Sequence, residues 1–199
     1  MLFIFDIGGV ITSTAKIYPR LCEILGISLE DFYDICGGEK AADGQGNILE
    51  AFSDGKINFK DFQKIFLSRR PDLNFSCDYF HMLFHPKKIE GSWEIVGALK
   101  KKGHRVVAGT NTIESYYLNH LERGDYQIFD QTYTSHFLGC SKPDPDFWKL
   151  ILLAENVDAK DAVFVDDREE NVKAALSLGI KSFKFESAEK LKADFKDWL

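Results

Sequence analysis

The 199-residue sequence has no long apolar run; a membrane-spanning helix needs about 20 consecutive apolar residues. The apolar run that begins at Leu2 ends at Asp6, and it has neither the basic start nor the small-residue cleavage site of a signal peptide. We therefore expect no membrane association and a cytoplasmic location.

Cysteine is scarce. The four cysteines are scattered and form no CxxC pair, so reduced thiols in a cytoplasmic protein are the expected state. None of the five histidines belongs to a metal-ligand spacing such as HExxH. We therefore interpret these histidines as ordinary surface or core residues.

A surplus of positive charge is also missing. The chain has 25 Lys and Arg against 31 Asp and Glu, which gives a net charge of −6. This balance argues against binding to nucleic acid or to an anionic membrane surface, although a local basic site for a phosphate remains compatible with it. A content of 45% hydrophobic and 28% charged residues is typical of a globular protein with a buried core.

What the sequence does contain is an alternation of strand and helix patterns. Five segments resemble strands, most of them continuous apolar runs, as expected in a parallel sheet covered on both faces; they are residues 2–7, 105–110, 131–135, 162–166 and 181–185. Helical patterns lie between them, at residues 93–102, 113–123, 169–178 and behind Pro145. We predict a doubly wound α/β fold.

Residues 12–88 interrupt this alternation. They contain helical stretches and a Gly-rich segment from Gly37 to Asn47, but no clear strand. We predict a core domain of residues 1–11 and 89–199 and a small helical cap of residues 12–88. The segment Asp54-Gly55-Lys56 is interpreted as a turn between two cap helices, with Asn58 as the N-cap of the second.

Polar residues follow the carboxyl ends of the predicted strands, where open α/β sheets bind their ligands. They are Asp6 after the first strand, Thr110 and Asn111 after the second, Lys142 in the loop before Pro145, and Asp166 and Asp167 at the end of the fourth. Each residue alone has a plain interpretation, such as a helix N-cap or a surface lysine. That interpretation does not explain why all of them occur at one edge.

These residue types suit phosphoryl chemistry. A phosphoryl group needs positive charge and hydrogen-bond donors, which Lys142, the Thr110 hydroxyl and the Asn111 backbone can supply. Carboxylates such as Asp6 and Asp166 would repel that group unless a divalent cation lay between them, and hard oxygen ligands favour Mg²⁺. With Mg²⁺ present, Asp6 could act as a nucleophile.

The order of these motifs resembles that of the haloacid dehalogenase superfamily over essentially the whole chain. The Asp-x-Gly-x-Val loop at Asp6 and the pair Asp166-Asp167 look most like a subgroup of sugar-phosphate phosphatases with a helical cap. The resemblance implies that Asp6 is the nucleophile, that Thr110 binds the phosphoryl oxygens and that Lys142 neutralises charge. It also implies a Mg²⁺ site formed by Asp6, the Gly8 carbonyl, Asp166 and Asp167.

One position departs from this family pattern. Most phosphatases of the superfamily carry an aspartate two residues after the nucleophile as general acid and base, and here that residue is Gly8. General acid–base catalysis is typically worth ~10²–10⁴-fold in rate. Either another group donates the proton, or the substrate has a good leaving group, or the protein is weakly active or inactive.

The sequence therefore leaves three functions open. The first is a Mg²⁺-dependent phosphatase acting on a small phosphorylated metabolite. The second is a haloacid dehalogenase, for which the pair Asp166-Asp167 would be unusual because that reaction needs no metal. The third is a non-catalytic binding protein, suggested only by Gly8. Neither the substrate nor the oligomeric state can be deduced from the sequence.

Overall fold

The computed structural model describes residues 1–37, 44 and 46–199 and contains a five-stranded parallel sheet. The strands are β1 (Leu2–Phe5), β2 (Arg105–Thr110), β3 (Gln131–Thr134), β4 (Ala162–Asp166) and β5 (Lys181–Lys184). Their order across the sheet is β3-β2-β1-β4-β5. The predicted α/β fold is confirmed, and β1 occupies the centre of the sheet.

Strand β1 ends two residues earlier than predicted. The carbonyl of Ile7 accepts hydrogen bonds from the backbone N–H groups of Ile11 and Thr12, both at 2.9 Å, because the chain turns sharply after Asp6. The apolar pattern continued to Ile7 since this side chain is buried in the core, although its backbone has left the sheet.

Helices cover both faces of the sheet. They are α6 (Glu90–Lys101), α7 (Glu114–Glu122), α8 (Ser135–Leu138), α9 (Pro145–Glu155), α10 (Glu169–Ser177) and α11 (Ala188–Asp194), with a short 3₁₀ helix at Ala159–Asp161. On β1, Phe3 and Phe5 pack towards α6 and α11. Leu2 and Ile4 pack towards α9 and α10 on the opposite face. This alternation explains why the strand is apolar throughout.

The described part of residues 12–88 contains five helices and no strand. The helices are α1 (Tyr18–Leu25), α2 (Leu29–Gly37), α3 (Ile48–Ser53), α4 (Phe59–Arg69) and α5 (Tyr79–Leu83). Phe52, Phe62 and Phe66 are buried in a separate hydrophobic cluster, and Phe59 packs against it. The division into a core and a helical cap remains our proposal. Of the Gly-rich segment, residues 38–43 and 45 lie outside the described residues.

A short turn joins α3 and α4 and rests on the core. As predicted, Asn58 caps α4, because its side chain accepts a hydrogen bond from the N–H of Asp61 at 3.0 Å. The hydroxyl of Ser135 in the core donates to the carbonyl of Ser53 in α3 at 2.8 Å. The cap segment therefore lies directly over the carboxyl edge of the sheet. No helix in the described part of the chain has the length and apolar character that crossing a membrane requires.

Candidate active site

A cavity of about 200 Å³ lies at the carboxyl edge of the sheet, above β1, β2 and β4. Since β1 lies between β2 and β4, its following residue is flanked by the ends of both neighbours. The cavity is lined by Asp6, Gly8, Thr14, Thr110, Asn111, Lys142, Asp167, Arg168 and Asn171. The site residues selected from the sequence thus come together, with Asp166 buried directly beside them.

Lys142 is the central positive charge of this cavity. Its ammonium group lies 2.9 Å from Asp6 and 2.7 Å from Asp166, and it donates to the carbonyl of Gly109 at 2.9 Å. The side chain is buried, and burial alone would lower its pKa. The negative charges of Asp6 and Asp166 outweigh this effect, so the pKa of Lys142 is raised and the group stays charged.

Asp6 is the acid most perturbed by this environment. Burial raises the pKa of Asp6 to about 6, the attraction of Lys142 opposes the increase, and the charge of Asp166 adds to it. The Asp6 carboxylate is only 7% exposed and faces the cavity. It therefore combines an accessible oxygen with a low-dielectric environment, which suits a nucleophile.

Asp166 is held rigidly by several donors. Asn171 Nδ2 donates to both of its carboxylate oxygens at 3.0 Å, and the backbone N–H of Arg168 donates at 2.9 Å. Asn171 is not among the site residues that the sequence pattern predicts. Its position in the first turn of α10, just after the acidic pair, is the signal that could have identified it.

Asn111 fixes the loop that carries Lys142. Its side-chain amide donates to the Lys142 carbonyl, and its side-chain oxygen accepts from the Lys142 N–H, both at 2.8 Å. The role predicted for Asn111 from the sequence was limited to its backbone N–H as a donor to phosphate. Thr110, at the end of β2, is 3% exposed and lines the cavity with its neighbour.

Three carboxylates could hold a cation here. Ligand oxygens of Asp6, Asp166 and Asp167 lie within 4.8 Å of one another. Burial and the negative charge of Asp166 raise the pKa of Asp167, so a cation between these carboxylates would relieve their repulsion. Three hard oxygen donors with one nearby lysine are a suitable donor set for Mg²⁺.

The loop after Asp6 fits closely around Asp167. Gly9 has a φ of +82°, and a Cβ atom at this position would lie 2.3 Å from Asp167 Oδ2. Gly9 therefore allows the Asp167 carboxylate to approach the loop. At Gly8, by contrast, a Cβ atom would meet no atom within 4 Å, so its missing side chain leaves free space.

The proteins that this chain resembles include a hydrolase and a phosphatase. The flavin mononucleotide hydrolase 1 of Arabidopsis thaliana is 38% identical over 109 residues, which cover 55% of this chain and 44% of that protein. The sesquiterpene phosphatase astK of Aspergillus oryzae is 36% identical over 181 residues, covering 89% of this chain and 85% of the relative. The chain thus spans less than half of the first relative and most of the second.

A solved structure has the same architecture. An enzyme of the haloacid dehalogenase family from Bacteroides thetaiotaomicron, in complex with magnesium and inorganic phosphate, superimposes with a TM-score of 0.68 at 19% identity and covers 94% of both chains. The family model for haloacid dehalogenase-like hydrolases matches residues 1–179. Since this match extends over most of its length, the chain belongs to the haloacid dehalogenase-like hydrolases.

Proposed function

We propose that this hydrolase is a Mg²⁺-dependent phosphatase that removes phosphate from a small metabolite through an aspartyl-phosphate on Asp6. The observation that carries the proposal is the position of Lys142, buried between Asp6 and Asp166 beside a third carboxylate. This arrangement offers a nucleophilic oxygen, a fixed positive charge and a set of hard metal ligands in one small cavity.

In the first step, an Asp6 oxygen attacks phosphorus and the bond from phosphorus to the leaving oxygen breaks. Lys142 and the Thr110 hydroxyl stabilise the negative charge on the phosphoryl oxygens. The leaving oxygen departs opposite Asp6 and takes a proton from solvent, because Gly8 supplies no acidic side chain. In the second step, water attacks the phosphorus of the aspartyl-phosphate, which releases inorganic phosphate and restores Asp6.

The metal site is proposed at Asp6, Asp166, Asp167 and the Gly8 carbonyl. The proximity of the three carboxylates supports it, and the structural neighbour from Bacteroides thetaiotaomicron binds magnesium and inorganic phosphate. When bound, Mg²⁺ would screen the carboxylates from the phosphate and act as a Lewis acid. Asn171 and the Arg168 N–H would keep Asp166 oriented towards it.

The two alternatives are less well supported. A dehalogenase needs no metal, so three converging carboxylates would serve no purpose in its cavity. A non-catalytic protein would not require a buried lysine between two aspartates, since that arrangement costs desolvation free energy. The relative astK is a sesquiterpene phosphatase, which also supports phosphate ester hydrolysis. A sugar phosphate is one candidate substrate within this class.

The proposal is tested by phosphate release from p-nitrophenyl phosphate and from a panel of phosphorylated metabolites. Asp6→Asn keeps the size of the side chain but removes the attacking charge, so turnover should fall by several orders of magnitude. Asp158→Asn, an exposed change beyond the opposite end of the sheet, should retain wild-type activity. EDTA should abolish hydrolysis, and added Mg²⁺ should restore it.

Two results would contradict the proposal. If Asp6→Asn kept more than about a tenth of wild-type turnover on the best substrate, the covalent mechanism would be wrong. Full activity in EDTA would exclude the metal dependence. Chloride release from 2-chloropropionate would then favour the dehalogenase.

A further inference from the structure

We propose that Glu50 in the cap selects the leaving group, and that it favours a phosphomonoester whose leaving group offers hydrogen-bond donors and carries no second negative charge. This inference rests on the phosphatase function proposed above. It concerns two cavities next to the one that contains Asp6.

The two cavities continue from the phosphoryl site towards the cap. One, of about 450 Å³, shares Asn111 and Lys142 with the site, and the other, of about 300 Å³, shares Asn111. Asp6 lines neither of them. In phosphoryl transfer the attacking and leaving oxygens lie roughly in line, so the leaving group departs away from Asp6. These two cavities offer space for it.

Helix α3 presents the same two side chains, Glu50 and Ser53, to both cavities. They are three residues apart and share a face of the helix, while Ile48 and Phe52 are buried in the cap on the opposite face. Asn47 caps the beginning of α3, and Ser135 holds the carbonyl of Ser53 at its end. The position of Glu50 over the cavities is therefore fixed from both ends of the helix.

The polar side chains around Glu50 already have partners. Asp54 accepts from the Ser141 hydroxyl at 2.6 Å and pairs with Lys56 at 3.0 Å. Asn111 is occupied by the backbone of Lys142. Glu50, in contrast, makes no side-chain hydrogen bond or ion pair with any residue that the structure describes. Its carboxylate, on an exposed side chain, is therefore available to accept a hydrogen bond from a ligand.

The charges of the cavity walls determine which ligands fit. In the larger cavity the positive charges are committed, because Lys142 lies between Asp6 and Asp166 and Lys56 pairs with Asp54. In the smaller cavity, Glu50 is the only charged side chain among the described lining residues, beside Tyr18, Leu49, Ile113 and Tyr116. A second phosphate or carboxylate on the substrate would face Glu50 with no free cation, whereas an ammonium or hydroxyl group would find an acceptor.

The inference is tested with four phosphomonoesters. Phosphoethanolamine has a cationic leaving group, glycerol phosphate a neutral one with hydroxyls, and phosphoglycerate one with a second negative charge; p-nitrophenyl phosphate reports the basic activity. We would measure kcat/KM for all four esters. We would also measure how strongly phosphoethanolamine, glycerol phosphate and phosphoglycerate each inhibit the hydrolysis of p-nitrophenyl phosphate. The enzymes are the wild type, Glu50→Gln, Glu50→Lys and the control Glu30→Gln, an exposed cap glutamate that lines neither cavity.

We expect the wild type to prefer phosphoethanolamine and glycerol phosphate over phosphoglycerate, which carries a second negative charge. Glu50→Gln should reduce that preference by about 10- to 100-fold, the range expected for a hydrogen bond to a charged group. Glu50→Lys should reverse it in favour of phosphoglycerate. Hydrolysis of p-nitrophenyl phosphate, whose leaving group offers Glu50 no hydrogen-bond donor, should not show the loss expected for phosphoethanolamine and glycerol phosphate in Glu50→Gln. Glu30→Gln should behave as the wild type. The better of the two donor-bearing esters identifies an ammonium or a hydroxyl as the donor.

Two outcomes would overturn the inference: an unaltered preference in both Glu50 variants, or an equal loss on all four esters. Failure of the phosphatase proposal would look different, since p-nitrophenyl phosphate hydrolysis would then be absent or independent of Asp6 in the wild type itself.

Discussion

Gly8 occupies the position at which the family pattern noted in the sequence has an aspartate as general acid, and the structure leaves room for that side chain. A Cβ atom at this position would have no neighbour within 4 Å, and the backbone of Gly8 is not in the left-handed region. The cavity at Gly8 is also lined by Asp6 and Thr110, so a carboxylate introduced there would lie close to the reacting groups.

We therefore predict that Gly8→Asp accelerates the hydrolysis of esters with poor leaving groups. The gain should lie within the ~10²–10⁴-fold typical of general acid–base catalysis and should vanish for p-nitrophenyl phosphate, whose leaving group needs little protonation. A series of leaving groups of increasing pKa, measured as kcat/KM for both forms, gives the comparison. Gly8→Asn is the control, because it supplies a side chain of the same size that cannot act as a general acid. An equal gain from both variants would refute the role of the acid.

At the scale of elements, the contact between the α3–α4 turn and helix α8 joins the cap to the core. Gly55 has a φ of +67°, and a Cβ atom there would lie 1.9 Å from the carbonyl oxygen of His136. Ser141 in the core donates to Asp54 at 2.6 Å across the same contact, although the two residues are 87 positions apart in the sequence. The turn can therefore approach the core only because Gly55 has no side chain.

Gly55→Ala should displace this turn and lower kcat/KM, since it moves α3 and Glu50 relative to the phosphoryl cavity. Gly26→Ala is a matched control, because Gly26 lies in the cap with a φ of +70° but a Cβ atom there would meet nothing within 4 Å. Both variants should lose stability by about 1–2 kcal/mol from the left-handed backbone. Only Gly55→Ala should lose activity as well, as measured by thermal unfolding and phosphate release. If Gly55→Ala and Gly26→Ala had similar activity, the contact between the α3–α4 turn and the core would not be important for catalysis.

At the scale of the whole molecule, the site stores unfavourable charge. The pKa of Asp6 is raised from 3.8 to about 6, chiefly by burial. Without metal, the folded protein therefore binds more protons than the unfolded chain between these pH values. The free energy of unfolding consequently decreases as the pH rises from 3.8 to about 6. The stabilising contribution of the protonated Asp6 carboxyl group is fully present only below this window.

We predict that Asp6→Asn stabilises the metal-free protein by about 1–3 kcal/mol at pH 8, with the difference disappearing near pH 4. Mg²⁺ should raise the melting temperature of the wild type at pH 8, since it binds the folded state, and should affect the variant much less. Thermal unfolding of both proteins at the two pH values, in EDTA and in Mg²⁺, provides the measurement. Equal melting temperatures of the two proteins at pH 8 in EDTA would show that Asp6 is not destabilising.

The sequence alone indicated the sheet and most of its site. Continuous apolar runs mark strands buried on both faces, and residues that follow parallel strands lie at one edge of the sheet. The sequence is therefore sufficient to place Asp6, Thr110 and Asp166 together. The Asn58 cap was equally predictable, because it depends on local hydrogen bonds within one turn. Strand ends were less certain, since Ile7 remains buried after its backbone leaves the sheet.

Only the tertiary structure placed Lys142 between two carboxylates and brought Asn171 to Asp166. It also brought Glu50 and Ser53 over the site, because the packing of α3 depends on contacts such as that of Ser53 with Ser135, 82 residues away in the sequence. Hydrophobic periodicity reports which side of a helix is buried, but not which distant segment lies opposite the exposed side. The reacting residues therefore follow from local pattern and sheet geometry, whereas the residues proposed to select the substrate are defined by the packing of the cap on the core.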